Sequence, residues 1–271
     1  MGKRIAGINL SHNGSLAIIN DGQVEFYLEE ERVTGIKRDR SAKSLASKYL
    51  DDSIDAVTIC DCYTKYYPKK FILRTKQKND LTRIIKDKGI PIIDYRHRHH
   101  ECHAVNALYN SGFDDAAVLV MDGIGQAFRT ISRYCGFDER DAGKTMGLSA
   151  YGHPDTPVNL WNEEYGHSIC SKDIRPSKDT TKYYGTKMLE ADVAYNLQKS
   201  AEKHARYMIQ KTIDLTGKKN ICVSGGFFLN CVANYDIIEG INLYVDPIAH
   251  DGGLAIGSAL LAYYENIIPR T

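Results

Sequence analysis

At 271 residues, 43% hydrophobic and 25% charged, the chain can bury a full core and has the balance of an ordinary globular protein. A net charge of +1 gives no global reason to bind a polyanion. No run approaches 18 apolar residues, and the opening MGKRIAGINL lacks the cationic-then-apolar order of a signal peptide, so neither membrane insertion nor export is indicated and a cytoplasmic location is expected.

The first segment, IAGINLSHNGSLAIINDGQVEFYLEEER, reads as β structure turned at Asn20-Asp21-Gly22, because Asp-Gly between β-branched runs favours a hairpin. A polar glycine-bearing loop, SHNGS, interrupts its first apolar run. IDAVTIC follows as a buried-type strand, then DLTRIIKDKG and HHECHAVNALYNSG as helices ended by Gly89 and Gly112. From Ala116 the layout repeats: AAVLVM is a strand, DGIGQ a glycine loop, and AFRTISRY reads as a second β-rich run, so the two halves suggest a duplication. The segment 155–187 has little periodicity and reads as a surface excursion. A long helix then stops at Gly217, KNICVSGGFFLN gives strand, double glycine and helix start, and NLYVDPIAHDGGLAIGSALLAYYENI gives strand, acidic glycine loop and final helix. Strands alternate with helices throughout, which favours an α/β fold.

The seven cysteines are scattered and contain no C-x-x-C pair, so they read as reduced structural thiols; Cys60 and Cys62 alone could share a strand face toward a metal. Between Tyr63 and His100 stand eleven Lys or Arg against three Asp, with Tyr63, Tyr66, Tyr67 and Phe71 interleaved. That composition fits either a surface facing phosphates or the solvated face of a helix.

In RHRHHECH, His99 and His103 are four apart, about 40° around a helix, and can aim at one atom. Glu101 lies two positions after His99, roughly 200° around, and cannot act as base beside the same ion, which disfavours a hydrolytic zinc site. Two imidazoles need carboxylates to complete a shell. Asp122 and Asp251, each an acid between an apolar strand and a glycine loop, are the best placed. Two His and two Asp suit Fe(II), Mn(II) or Zn(II); the bland alternative is two satisfied histidines and a turn-capping aspartate. SHNGS, DGIGQ, SGGFFLN and HDGGLAIG offer four loops where backbone N–H groups could approach phosphates, whereas neither a Walker A sequence nor G-x-G-x-x-G is present.

These residues resemble the NodU/CmcH/TobZ-type O-carbamoyltransferases. The opening segment through GIKRD, HHECHAVNALYNSGFDDAAVLVMDGIG, GKTMGLSAYG, DVAYNLQ, SGGFFLNCVAN and PIAHDGGLAIGSAL match that family's blocks in order along the chain. The resemblance implies an actin-like ATPase (ribonuclease H-like, duplicated) fold with two subdomains around a nucleotide cleft, here 1–113 and 114–271. It implies a divalent metal, commonly iron, on His99, His103, Asp122 and Asp251. Gly225, Gly226, Asn230 and Asn234 would line the nucleotide pocket with Gly123 and Gly125 near the phosphates, Ser11 and Asn13 would join them from SHNGS, and His12 and Lys37 would sit by the carbamoyl group. The expected reaction moves a carbamoyl unit from carbamoyl-adenylate, made from ATP and carbamoyl phosphate, to an acceptor hydroxyl. His12 would serve as base and Lys37 would face the oxyanion, although His12 could instead bind phosphate and Lys37 balance Glu29 to Glu31.

Two departures stand out. The family continues into a YrdC-like domain that makes the carbamoyl-adenylate, whereas this sequence stops soon after the final catalytic-domain helix, so either a separate protein or a modified route is expected to activate the donor, or the sequence is a piece of a longer chain. The stretch from Tyr134 to Lys144 is also shorter than in the family, leaving a more open cleft. With the Tyr-rich basic segment 63–100, these features lead to a hydroxymethylated DNA base, such as 5-hydroxymethylcytosine, as the expected acceptor, read by base flipping. A sugar or aminoglycoside hydroxyl, or a non-catalytic subunit of a tRNA-modifying complex, are the alternatives.

Overall fold

The computed structural model describes residues 2–61, 80–122, 125–139, 141–153, 190–237 and 240–266. The excursion at 155–187, residues 63–79 of the basic segment, Cys62 and Gly123 lie outside the described residues. The chain divides into two compact units: residues 1–120, 222–225 and 244–271 form one, and residues 121–221 and 226–243 the other.

The first unit is built on a five-stranded sheet of order β3-β2-β1-β4-β5. Its strands are β1 (Arg4–Asn9), β2 (Ser15–Asn20), β3 (Gln23–Glu29), β4 (Ala56–Cys60) and β5 (Ile92–Asp94). β1, β2 and β3 pair antiparallel, while β1, β4 and β5 run parallel. The Asp21-Gly22 turn has both residues at positive φ, 47° and 79°, the geometry that lets a two-residue hairpin follow the strand twist. After β3 come α1 (Glu31–Thr34) and α2 (Lys43–Tyr49), and after β4 the helix α3 over 80–87.

Both faces of this sheet are covered, which is why β1 and β4 read as continuous apolar runs. Ala6, Ile8, Leu16, Val57 and Ile59 pack with Leu45, Ala46, Leu81 and Ile85 on one face. Ile5, Ala17, Ile19 and Cys60 pack on the other with Cys102 of α4 (His99–Asn110) and with the last helix, which spans Leu254–Tyr264. Residues 244–271, grouped by sequence with the second half, therefore belong with the N-terminal unit, because the final helix buries its apolar surface on β1 and β2. That helix and α4 approach so closely that a Cβ on Gly257 would run into the Cys102 carbonyl.

Further along come β6 (Ala117–Val120), α5 (Gly125–Tyr134) and α6 (Ala142–Leu148), then α7 (Glu190–Thr216), β7 (Asn220–Ser224), α8 (Cys231–Asp236), β8 (Asn242–Val245) and the final helix, α9. β6, β7 and β8 make a second sheet in that order. AFRTISRY corrects the sequence expectation: it is the body of α5 and not a strand. Ala127, Phe128, Ile131 and Ser132 are buried while Arg129 and Arg133 face solvent, a period of about 3.6 that outweighs the β-branched content. The strand-loop-strand layout of the first half is thus not repeated there. Gly89, Gly112 and Gly217 stop their helices at positive φ as expected.

Candidate functional site

His99 and His103 open α4 on one face, their ring centroids 4.9 Å apart. Glu101 points elsewhere and pairs with Arg98, as its position on the helix requires. Asp251, 2% exposed, starts the short 3₁₀ turn Asp251–Gly253 ahead of α9. His99, His103 and Asp251 each offer a ligand atom, all within 4.8 Å of one another.

The two oxygens of Asp251 face different partners. Oδ1 lies 3.9 Å from His99 Nε2 and 3.7 Å from His103 Nε2, while Oδ2 lies 3.0 Å from His12 Nδ1. Spans near 3.8 Å are too long for hydrogen bonds, yet close to the separation, roughly 3.4 Å, of two ligands each about 2.1 Å from a tetrahedral ion. Burial works against charge on Asp251, but the His103 and His12 imidazoles hold its carboxyl well below the usual carboxylate range.

His103 is fully buried, and its orientation is set by residues that the sequence reading missed. Ser224 Oγ donates to Asp246 Oδ2 at 2.8 Å, and Asn106 Nδ2 donates to the same oxygen at 2.7 Å. The Ser224 oxygen, 3.2 Å from His103 Nδ1, therefore accepts the proton on that nitrogen. Nε2 is left with its lone pair, makes no hydrogen bond, and points toward Asp251. A buried imidazole with a fixed tautomer and a lone pair aimed at a carboxylate fits a divalent cation. The only hints in the sequence were the SGG and VDP contexts of Ser224 and Asp246.

The other expected residues are placed as follows. SHNGS lies between β1 and β2, where Ser11 is buried and Asn13 holds φ +80°. Lys37 is exposed, on the loop after α1. That loop is tied to SHNGS at Gly14, whose N–H donates to Asp39 O at 2.7 Å and where a Cβ would sit 2.9 Å from the backbone of residues 39 and 40. Asp122 belongs to the second unit, where its Oδ1 accepts the Gly226 N–H at 3.3 Å. Gly125 opens α5, and Gly225, at φ +101°, donates to Ala249 O.

In the second unit Asn230 caps α8 by accepting the Ala233 N–H at 3.1 Å, and its side-chain amide pairs with that of Gln198. Asn234 donates to Phe228 O at 2.7 Å. Asp192 accepts the His153 N–H at 2.8 Å. Within this unit Asp192 thus ties DVAYNLQ to His153, the residue after GKTMGLSAYG, and Gln198 ties it to Asn230 of the SGGFFLNCVAN block. Cys60 is buried beside Cys102, and this hydrogen-bonding neighbour, with burial, keeps its thiol well above the ordinary range, which does not suit a metal thiolate.

Residues 124–260 match the family model described as carbamoyltransferase N-terminus. The chain belongs to this carbamoyltransferase family. Among curated proteins, an uncharacterised protein of Synechocystis is 25% identical over 94% of the chain and 56% of its own length. The nodulation protein NolNO of Sinorhizobium fredii is 23% identical over 94% of the chain and 46% of its own length. The chain thus spans about half the length of these curated relatives. Of solved structures, component A of the Acidaminococcus fermentans (R)-2-hydroxyglutaryl-CoA dehydratase superposes with a TM-score of 0.58, 13% identity, and coverage of 97% of this chain and 98% of that one. The fold is the actin-like ATPase fold expected for this family.

Proposed function

We propose that this chain transfers a carbamoyl group to an acceptor hydroxyl. The reading is carried by the convergence of His99 Nε2, His103 Nε2 and Asp251, with His12 on the far oxygen of that aspartate, in a chain of the carbamoyltransferase family. His99, His103 and Asp251, with Asp122 as the fourth ligand that the sequence resemblance implies, would hold a divalent cation, iron(II) first among Fe, Mn and Zn. When bound, such a cation draws electron density from the donor's oxygens. His12 then takes the acceptor's proton, its ring held against the Asp251 carboxylate, and Lys37 faces the negative charge that develops on the carbamoyl oxygen.

Gly123, Gly125, Gly225, Gly226, Asn230 and Asn234, with Ser11 and Asn13, bind the adenylate. The donor is carbamoyl-adenylate made from ATP and carbamoyl phosphate, and the acceptor oxygen displaces AMP from its carbamoyl carbon. For the acceptor we propose a hydroxymethylated base in DNA, on the strength of the basic, tyrosine-interleaved segment 63–100.

The test is mass spectrometry of hydroxymethylated duplex DNA, and of sugars including an aminoglycoside, after incubation with ATP, carbamoyl phosphate and the protein with and without a carbamoyl-adenylate-forming partner. A carbamoyl mass on DNA is expected. A carbamoyl mass on a sugar alone moves the acceptor to small molecules, and none on any hydroxyl refutes the transfer. His99→Ala and His103→Ala should lose bound metal and transfer together; transfer that survives loss of the metal overturns the assigned role.

A further inference from the structure

Glu29, the last residue of β3, is 13% exposed in its side chain and lies outside the metal, nucleotide and carbamoyl residues assigned above. Its carboxylate gathers three donors from three places. Tyr27 Oη donates to Oε1 at 3.0 Å, and Asn13 Nδ2 donates to Oε2 at 3.2 Å. His250 Nε2 lies 3.3 Å from Oε1. Because His250 Nδ1 accepts the Gly252 N–H at 3.0 Å, its proton is on Nε2 and directed at Glu29. Burial, then the Glu29 charge, pushes the Tyr27 hydroxyl well above its ordinary range, so it remains a donor.

Two of these partners adjoin the site. Asn13 follows His12, and His250 precedes Asp251, so one carboxylate joins the loop that carries the proposed base to the loop that carries the shared aspartate. Asn13 is also held at φ +80°, in the left-handed region that residues other than glycine seldom occupy without support from their neighbours. Asn9 Nδ2, donating to Asn13 O at 3.0 Å, is the second such neighbour.

We propose that Glu29 is a positioning residue: it clasps the His12 loop to the Asp251 loop, and thereby sets how tightly His99, His103 and Asp251 hold their cation. The inference rests on the metal reading above. Outer partners of metal ligands typically contribute about 10–100-fold in affinity. The Ser15 Oγ to Gly252 O bond, 2.7 Å, ties the same two loops independently, so the low end, about tenfold, is expected.

The experiment titrates the full chain with Zn2+ against a chromophoric chelator and, in parallel, records 15N–1H spectra without metal. Glu29→Ala should weaken Zn2+ about tenfold and shift the His12 and Gly252 amides together. Glu29→Gln, which keeps the arm and an acceptor oxygen, should recover part of the affinity. Asn13→Gly removes one donor and tolerates the positive φ, so it tests the clasp even where Glu29→Ala fails to fold; it should weaken Zn2+ several-fold. Zn2+ affinities within twofold of wild type for both Asn13→Gly and whichever Glu29 variant folds would overturn the proposal. A wild-type protein that takes up no Zn2+ defeats the metal reading. The clasp is then judged on the amides alone, which must move together in a Glu29 variant or in Asn13→Gly for it to stand, and which overturn it by staying put.

Discussion

Ser224→Ala isolates the support of one imidazole of the proposed metal site. Ser224 and His103 are both fully buried, and the hydroxyl does two things at once: it accepts the His103 Nδ1 proton and donates to Asp246. Alanine leaves room for neither bond. The buried Nδ1–H then lacks its acceptor, at a cost of about 1–3 kcal/mol, and Asp246 keeps the Asn106 donor as well as the Ile248 N–H. For a chain of this size each kcal/mol corresponds to about 2–4 °C, so the melting temperature should fall by several degrees. Freed of Ser224, the imidazole can turn or change tautomer and withdraw Nε2, so Zn2+ affinity should fall about 10–100-fold, equal to about 1.4–2.8 kcal/mol. Calorimetric titration with Zn2+ and thermal melts with and without the metal measure both terms. A variant that melts lower and still binds Zn2+ as tightly as wild type would refute the claim that Ser224 fixes the ligand tautomer.

Two further outcomes test the frame around the site. Arg98 joins the start of α4 to Glu265 beyond α9, with Arg98 Nη1 2.7 Å from Glu265 Oε2 and Tyr95 Oη 3.0 Å from the same oxygen. Arg98 chiefly, and Tyr95, hold the Glu265 carboxyl below its ordinary value of 4.5 against the opposing effect of burial. A depressed carboxyl stabilises above the unfolded value and stops doing so as pH falls through the folded one. Glu265→Gln should therefore melt lower than wild type at pH 7, by at most about 1 kcal/mol for a pair this exposed to solvent, and the two should converge in acid below pH 4.5; a gap that widens there contradicts the assignment. Gly257→Ala drives a methyl into the Cys102 carbonyl and must push α9 from α4, costing about 1–3 kcal/mol or more and loosening the His99 and His103 face. Equal stability and equal Zn2+ binding in that variant would show that the helices do not need this approach.

Where local chemistry decides, the sequence was legible. Asp21-Gly22 turned the hairpin, Gly89, Gly112 and Gly217 ended helices, and the four-residue spacing put His99 and His103 on one face. Each depends on the backbone freedom or angular period of a few neighbouring residues. AFRTISRY misled because Thr130 and Ile131 favour strands in isolation, whereas burial of Ala127, Phe128, Ile131 and Ser132 against other elements selects the helix.

What the amino-acid order determined by itself was the α/β alternation, the turn positions, and the residue types able to hold a cation. Tertiary structure alone decided which of them meet. Asp251 reaches His99 and His103 across about one hundred and fifty residues of chain because α9 returns to the first sheet, while Ser224 and Asp246 acquire their roles where they meet α4, and Glu29 where it meets His250 ahead of α9. A serine or a glutamate reads alike in any surface loop; only removal from water, with a nitrogen or hydroxyl left to satisfy, turns it into the part that aims a ligand.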